Sequence, residues 1–228
     1  MPRHTCLLLL AFLSIGRSVG AQPTPAPSKP DDTTLLRVDL EDGFALHPWL
    51  YHEFRLSERW GILGDVHAQS PGLNSRFPPF LEIDLGPNLH LGPLQINPQI
   101  GVDLGWREGD AATLDSGHTR AADFIPALYL ILAWRRLAAE SWNLLFIPFD
   151  GSPAFYQLRL LATVRLVRGL SIGPHFEAAF TFKRSSTDRL ALGGDLVYAF
   201  RWGQLGMFLA YERQRGVAET RVTFIREL

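Results

Sequence analysis

The stretch LSIGPHFEAAFTFK, from Leu170 to Lys183, separates into two sets of side chains when every second residue is taken. The first set is apolar and consists of Leu170, Ile172, Pro174, Phe176, Ala178, Phe180 and Phe182. The second set is polar or small and consists of Ser171, Gly173, His175, Glu177, Ala179, Thr181 and Lys183. Because side chains on a strand alternate between two faces, the pattern predicts a β-strand. The alternation does not decide whether the apolar face meets a protein core or lipid.

The same period of two continues along most of the chain, and no helical period of 3.6 persists. We predict an all-β fold of about twelve strands, with ten as the alternative count. The predicted strands are 34–42, 44–56, 59–69, 80–91, 94–107, 120–135, 139–149, 154–167, 170–183, 188–202, 204–213 and 217–227. Pro87 falls in the middle of the fourth strand and predicts a bend or a break there, since proline lacks the N–H that a sheet needs.

The N-terminus predicts export. Residues 1–21 combine Arg3, a short apolar run and small residues before Gln22, which is the pattern of a secretory signal peptide. Residues 22–33 are rich in proline and polar side chains and predict a disordered leader before a barrel domain at 34–228. The only cysteine, Cys6, lies in the predicted signal, so the exported part has neither a disulfide nor a thiolate metal site.

The connections between the predicted strands broadly alternate in length. Gly92-Pro93, Arg168-Gly169 and Gly203 are tight, whereas residues 70–79, 108–119 and 184–187 are longer and more polar. An up-and-down antiparallel meander has this alternation when one end faces a confined space and the other faces outward. A lipocalin-like barrel or sandwich has the same strand pattern with the apolar side inward.

Three features favour an apolar exterior in lipid. The polar face is rich in glycine, asparagine and glutamine and poor in lysine, which suits a wet lumen. The predicted strands are long enough to cross a bilayer when tilted. Most tryptophans lie near predicted strand ends, as in the aromatic girdles of membrane barrels, and Trp49 is the exception. The predicted lipid-interface aromatics are Trp60, Trp106, Trp134, Trp142 and Trp202.

Taken together, the residues after the signal resemble a bacterial outer-membrane β-barrel as an architecture. That resemblance implies an antiparallel up-and-down transmembrane barrel with both termini in the periplasm, a lipid bilayer as partner, and insertion by the outer-membrane assembly machinery. The C-terminus departs from the pattern. Such barrels usually end in an aromatic residue, whereas this chain ends in Leu228 with charges beside it.

Charged side chains on the polar faces form the candidate site. An acidic and histidine face on the third to fifth strands contains Asp65, His67, Glu82, Asp84, His90 and Asp103. A basic face on the eighth to tenth strands contains Arg159, Arg165, Arg189 and Arg201. Across a twelve-strand barrel these faces oppose each other, and such a field discriminates among small polar solutes. The alternative is a set of Arg–carboxylate pairs that brace the barrel.

The predicted function is therefore structural, or the passage of small polar solutes. One alternative is a soluble periplasmic barrel that binds an apolar ligand. A second is a barrel-rim lipid hydrolase, for which His67 with Ser70 and Ser116 with His118 are the nearest pairs. A net charge of −1 gives no argument for nucleic acid. We expect no cofactor, and no metal site, because no HxxxH or HxH spacing occurs.

Overall fold

The computed structural model describes residues 31–41, 45–69, 80–107, 118–182, 187–214 and 216–228. They form twelve strands. These are β1 (Thr33–Glu41), β2 (Leu46–Arg55), β3 (Trp60–Gln69), β4 (Phe80–Leu91), β5 (Leu94–Arg107), β6 (His118–Trp134), β7 (Leu137–Pro148), β8 (Phe155–Val167), β9 (Leu170–Thr181), β10 (Thr187–Phe200), β11 (Gly203–Glu212) and β12 (Val217–Glu227). Every predicted strand boundary lies within two residues of the observed one.

The strands close into one antiparallel barrel in which each pairs with its neighbours in sequence. Closure comes from β1 and β12, which pair from Leu35 opposite Glu227 to Glu41 opposite Arg221. Leu228 adds a backbone hydrogen bond of 3.0 Å to Thr34. A closed barrel satisfies the backbone of every strand, which is the requirement for spanning lipid with strands. The predicted up-and-down twelve-strand barrel is confirmed.

One end of the barrel carries tight turns and both chain ends of the barrel domain. Four connections there have two residues each, at 92–93, 135–136, 168–169 and 201–202, and the β2–β3 connection has four, at 56–59. Gly92 has a φ of 60° and Gly169 a φ of 83°, in the left-handed region that glycine adopts without strain. The three connections predicted to be long lie mostly outside the described residues.

Pro87 interrupts pairing without breaking its strand. β4 continues from Phe80 to Leu91, and Pro87 pairs with Ile62 on the β3 side. On the β5 side, the paired residues stop at Leu85 and resume at Leu89 in the same register. Asn97 of β5 fills this gap by donating a side-chain hydrogen bond of 2.8 Å to the Pro87 carbonyl. The predicted local irregularity is therefore present as a gap in one ladder.

The exterior of the barrel is apolar. Ile83, Leu85, Ile100, Leu192 and Leu209 all expose large side chains outward, and Ile100 is 62% exposed. A soluble barrel would bury this face and expose the polar one, so the soluble alternative does not fit the structure. Exposed aromatics mark both ends of the apolar belt. They are Phe54, Trp60, Trp134, Tyr198 and Trp202 at the tight-turn end and Phe149, Phe182 and Tyr211 at the other.

Trp142 corrects the predicted set of interface aromatics. It is 2% exposed and lies on the interior face of β7, which it shares with Glu140 and Leu144. The prediction used the position of the residue near a strand start. Alternation along β7 places the indole inside the barrel. Trp49, the predicted exception, is also interior. The side chain of Trp106 lies outside what the structure describes.

The interior is only partly polar. One apolar cluster near the tight-turn end contains Leu35, Trp49, Tyr51, Leu63, Ile131, Ala133, Ala138 and Ile225. A second, on β6 and β7, contains Ile125, Ala127, Tyr129, Trp142, Leu144 and Phe146. These clusters confine the charged interior side chains to distinct sectors. Within the described ranges, no helix has the length and apolar character that a helical membrane span requires.

Candidate functional site

Carboxylates from four adjacent strands line one sector of the interior. We call this set the acidic wall: Asp65 on β3, Glu82 and Asp84 on β4, Asp103 on β5 and Asp123 on β6. Cross-strand register places Asp65 opposite Asp84, Glu82 opposite Asp103, and Asp103 opposite Asp123. Carboxylates of neighbouring strands therefore lie side by side in this sector of the interior.

His67 lies at the edge of the acidic wall and is fully buried. Its ring stacks on Trp49 with the centroids 3.2 Å apart, and Phe80 meets it edge-on at 4.9 Å. Its Nδ1 is 3.6 Å from Glu82 Oε2. The aromatic packing fixes the imidazole beside the carboxylate and inside the barrel. A rim hydrolase would need this histidine on the lipid side, so the structure does not place it where that alternative requires.

Arginines on the other side of the barrel are interleaved with carboxylates. Glu177 on β9 forms ion pairs with Arg159 on β8, Arg189 on β10 and Arg221 on β12. The Arg189 contact is 2.9 Å and the Arg221 contact is 3.4 Å. Arg189 also donates to Glu219 at 2.5 Å. This set of side chains, the ionic network, ties four strands together and is close to charge-balanced.

His175 connects the ionic network to β10. Arg159 Nε donates to His175 Nε2 at 2.7 Å, and His175 Nδ1 lies 2.7 Å from Asp195 Oδ2. Nε2 also lies 3.0 Å from Glu177 Oε1, so the imidazole connects the carboxylates of Glu177 and Asp195. The guanidinium of Arg159 also lies 4.9 Å from the centroid of the Trp142 ring, and that of Arg221 lies 4.9 Å from Phe208. These contacts hold the arginines flat against the barrel wall.

A third polar cluster lies at the tight-turn end, around Glu53. Its Oε1 is 2.7 Å from His90 Nε2, 3.1 Å from Asn88 Nδ2 and 3.3 Å from Arg55. A Cβ at Gly61 would come within 2.2 Å of the same oxygen. Glycine at position 61 therefore makes room for the cluster. His90 belongs to this cluster and is separate from the acidic wall, with which the sequence grouped it.

The structure places the four arginines of the predicted basic face in different environments. Arg159 and Arg189 join the ionic network, and Arg165 is partly exposed near the tight-turn end of β8. Arg201 is exposed in the turn after β10, so its assignment to the lumen is wrong. The predicted strand ran to residue 202 and kept the arginine on an interior position. The observed strand ends at Phe200, and the turn carries Arg201 out of the barrel.

Several interior charges were not predicted. Arg37 on β1 donates to Asp39 at 2.8 Å and to Thr223 of β12 at 3.3 Å. Arg221 belongs to β12, and barrel closure brings these terminal strands beside each other. Asp123 precedes a long apolar run in β6, and the run gave no sign of which face is interior. Ile125 is fully buried, and residues two apart on a strand share a face, so counting back from Ile125 would have identified Asp123 as interior.

Two further predictions from the sequence concern metal binding and lipid hydrolysis. Among them, no three His, Cys, Asp or Glu side chains form a group that could hold a metal ion. Ser70 and Ser116, the predicted serine partners of the hydrolase hypothesis, lie outside the described residues, as does the side chain of His118.

The comparisons with solved structures decide the class of barrel. The chain superposes on the KdgM porin with a TM-score of 0.51, covering 86% of this chain and 97% of that one at 13% identity. It superposes on the NanC porin with a TM-score of 0.53, covering 84% and 97% at 9% identity. The chain has the fold of an outer-membrane porin. No family model and no curated protein sequence matches it.

Identities this low establish the shared fold alone. A further structure, a KdgM porin in complex with disordered oligogalacturonate, matches with a TM-score of 0.52 at 11% identity. The porin fold confirms the predicted outer-membrane barrel architecture. What this barrel does therefore follows from its own interior side chains.

Proposed function

We propose that this protein is a bacterial outer-membrane pore for small polar solutes, and that its acidic wall favours cationic or neutral solutes over anions. The acidic wall is the single observation that carries this proposal. Rings and walls of charged side chains set the selectivity of aqueous pores. The register places carboxylates such as Asp65 and Asp84 directly opposite each other, which gathers negative charge in one sector of the interior.

The two charged sectors have different roles in this proposal. The ionic network around Glu177 pairs its charges and braces β8, β9, β10 and β12. The acidic wall supplies the selective field. Oligogalacturonate, present in one KdgM complex, is a polyanion. A carboxylate wall repels such a chain, so we propose a different solute class for this pore.

The membrane setting belongs to the same proposal. The apolar exterior with aromatic ends suits a bilayer, and the tight turns and both barrel termini face the periplasm. Residues 1–21 direct export, the leader 22–33 precedes the barrel, and the outer-membrane assembly machinery inserts it. Transport without an enzymatic step is the proposed activity.

Electrical recording tests the proposal. Purified protein in planar bilayers should conduct, and under a KCl gradient the reversal potential should have the sign of cation preference. The Asp65→Asn/Asp84→Asn double variant should move the reversal potential toward zero. Glu58→Gln is the matched control, because Glu58 is exposed in the β2–β3 turn, and it should leave the potential unchanged. Silent bilayers would overturn the pore and leave a structural role.

A further inference from the structure

Three polar side chains lie on the outward face of the barrel, where the surrounding belt is apolar. Ser141 and Asn143 lie on β7 and Tyr156 lies on β8. On β7 they alternate with the buried residues Glu140 and Trp142, which fixes their outward direction. Ser141 and Asn143 are near the middle of β7, at the depth of the hydrocarbon, and Tyr156 is the second residue of β8. Uncompensated polar groups there are costly.

The three side chains form a chain of hydrogen bonds. Tyr156 donates from its hydroxyl to Asn143 Oδ1 at 2.6 Å. The Asn143 amide donates to Ser141 Oγ at 3.1 Å and to the Leu128 carbonyl at 3.1 Å. Both amide hydrogens of Asn143 are therefore used. In the described part of the chain, the Ser141 hydroxyl donates to no acceptor, and the oxygens of Asn143 and Tyr156 keep lone pairs.

A groove of about 490 Å³ adjoins this polar cluster. Its outward lining includes Ser141 and the small residues Ala139 and Ala162, between the larger Leu130 and Leu160. Small side chains at the lipid face allow another backbone to approach closely, which is how membrane-spanning segments associate. The groove and the polar cluster share Ser141 and form one continuous surface, which we call the β7–β8 face.

We propose that the β7–β8 face binds a second copy of this chain, forming a two-fold symmetric dimer within the membrane. A two-fold axis through the face brings each Ser141 donor toward the acceptor oxygens of the partner's Asn143 or the partner's Tyr156. The same hydrogen bonds then form twice. A lipid acyl chain offers neither donor nor acceptor, so it leaves the Ser141 hydroxyl without an acceptor. The inference requires a membrane-embedded barrel and is independent of conduction.

Cysteine cross-linking tests the dimer, since the only native cysteine, Cys6, lies in the predicted signal. Leu160 is 41% exposed on the β7–β8 face. Leu50 is 46% exposed on β2, six strands away and so across the barrel. In liposomes, Leu160→Cys should form a covalent dimer with a short bifunctional maleimide, and Leu50→Cys should stay monomeric. Equal cross-linking at both positions, or none at Leu160→Cys, would overturn the dimer.

A second variant separates the hydrogen bonds from general crowding. Asn143→Leu in the Leu160→Cys background should lower the cross-linked fraction about five-fold, the size expected for losing interfacial hydrogen bonds in lipid. Heat-modifiable gel mobility reports whether this variant still folds. An unchanged cross-linked fraction in folded Asn143→Leu would contradict the proposal. Purification of the protein as a monomer with lipid bound to the β7–β8 face would also contradict the proposal. Channel recordings on the same samples test the pore separately.

Discussion

Asp65 and Asp84 face each other across the β3–β4 ladder, both nearly fully buried inside the barrel. The antiparallel register fixes the two carboxylates in directly opposed positions on the interior face. The acidic wall extends this relationship across β3 to β6. Replacing a carboxylate with the amide of the same size therefore tests the charge of the wall separately from its shape.

Asp65→Asn should reduce cation preference. The amide keeps the size of the side chain and removes one negative charge from the acidic wall, so the field that favours cations weakens. The reversal potential under a KCl gradient measures this effect, and urea-dependent unfolding from lipid vesicles shows whether the variant keeps its stability. A variant that loses stability and keeps its selectivity would show that Asp65 is a bracing residue.

Glu177→Gln should destabilise the barrel. The Glu177 carboxylate is 1% exposed and pairs with Arg159, Arg189 and Arg221, so the neutral amide leaves their positive charges poorly compensated. Loss of one partner of a buried pair costs on the order of 3 kcal/mol. The same urea titration measures this change, with Glu58→Gln as the exposed control. Equal unfolding free energies for both variants would contradict the bracing role.

Gly86→Ala should disturb the β4–β5 pairing, whereas Gly206→Ala should be tolerated. A Cβ at Gly86 would lie 1.9 Å from the Pro98 carbonyl oxygen, which the backbone cannot avoid without moving. A Cβ at Gly206 would meet Thr223 Cβ at 3.5 Å, an ordinary contact. We expect a loss of about 1–3 kcal/mol for the first variant alone. Comparable folding yields and stabilities would show that the strands can separate at Pro98.

Single-tryptophan variants should separate the interior from the lipid face. A chain that keeps only Trp142 should resist quenching by brominated lipids, because its indole donates to Glu140 at 3.1 Å inside the barrel. A chain that keeps only Trp134, which is 53% exposed at the rim, should be quenched. Fluorescence in vesicles checks both. Strong quenching of Trp142 by brominated lipids would show that Trp142 is a lipid-interface aromatic, as the sequence predicted.

The sequence predicts the strands well because parity is a local property. Every second residue along LSIGPHFEAAFTFK carries the information, and no distant contact is needed. The prediction is wrong for Trp142 because it used the distance of the residue from the strand end and ignored which face the residue lies on. It is wrong for Arg201 because the observed strand ends two residues earlier than the predicted one. The partnership of Arg37 with Thr223 depends on closure of β1 against β12, which local pattern does not specify. The outward cluster of Ser141, Asn143 and Tyr156 also requires the three-dimensional register.

The central claim is that the acidic wall lines a conducting water path while the neighbouring residues face lipid. Asp123→Cys and Phe124→Cys test it with adjacent positions, because Asp123 is partly exposed in the interior and Phe124 is 36% exposed outward. A water-soluble, membrane-impermeant thiol reagent added during planar-bilayer recording should modify Asp123→Cys and change its current. Phe124→Cys should keep its current unchanged. A current that changes only in Phe124→Cys, or in neither variant while both channels conduct, would contradict the account.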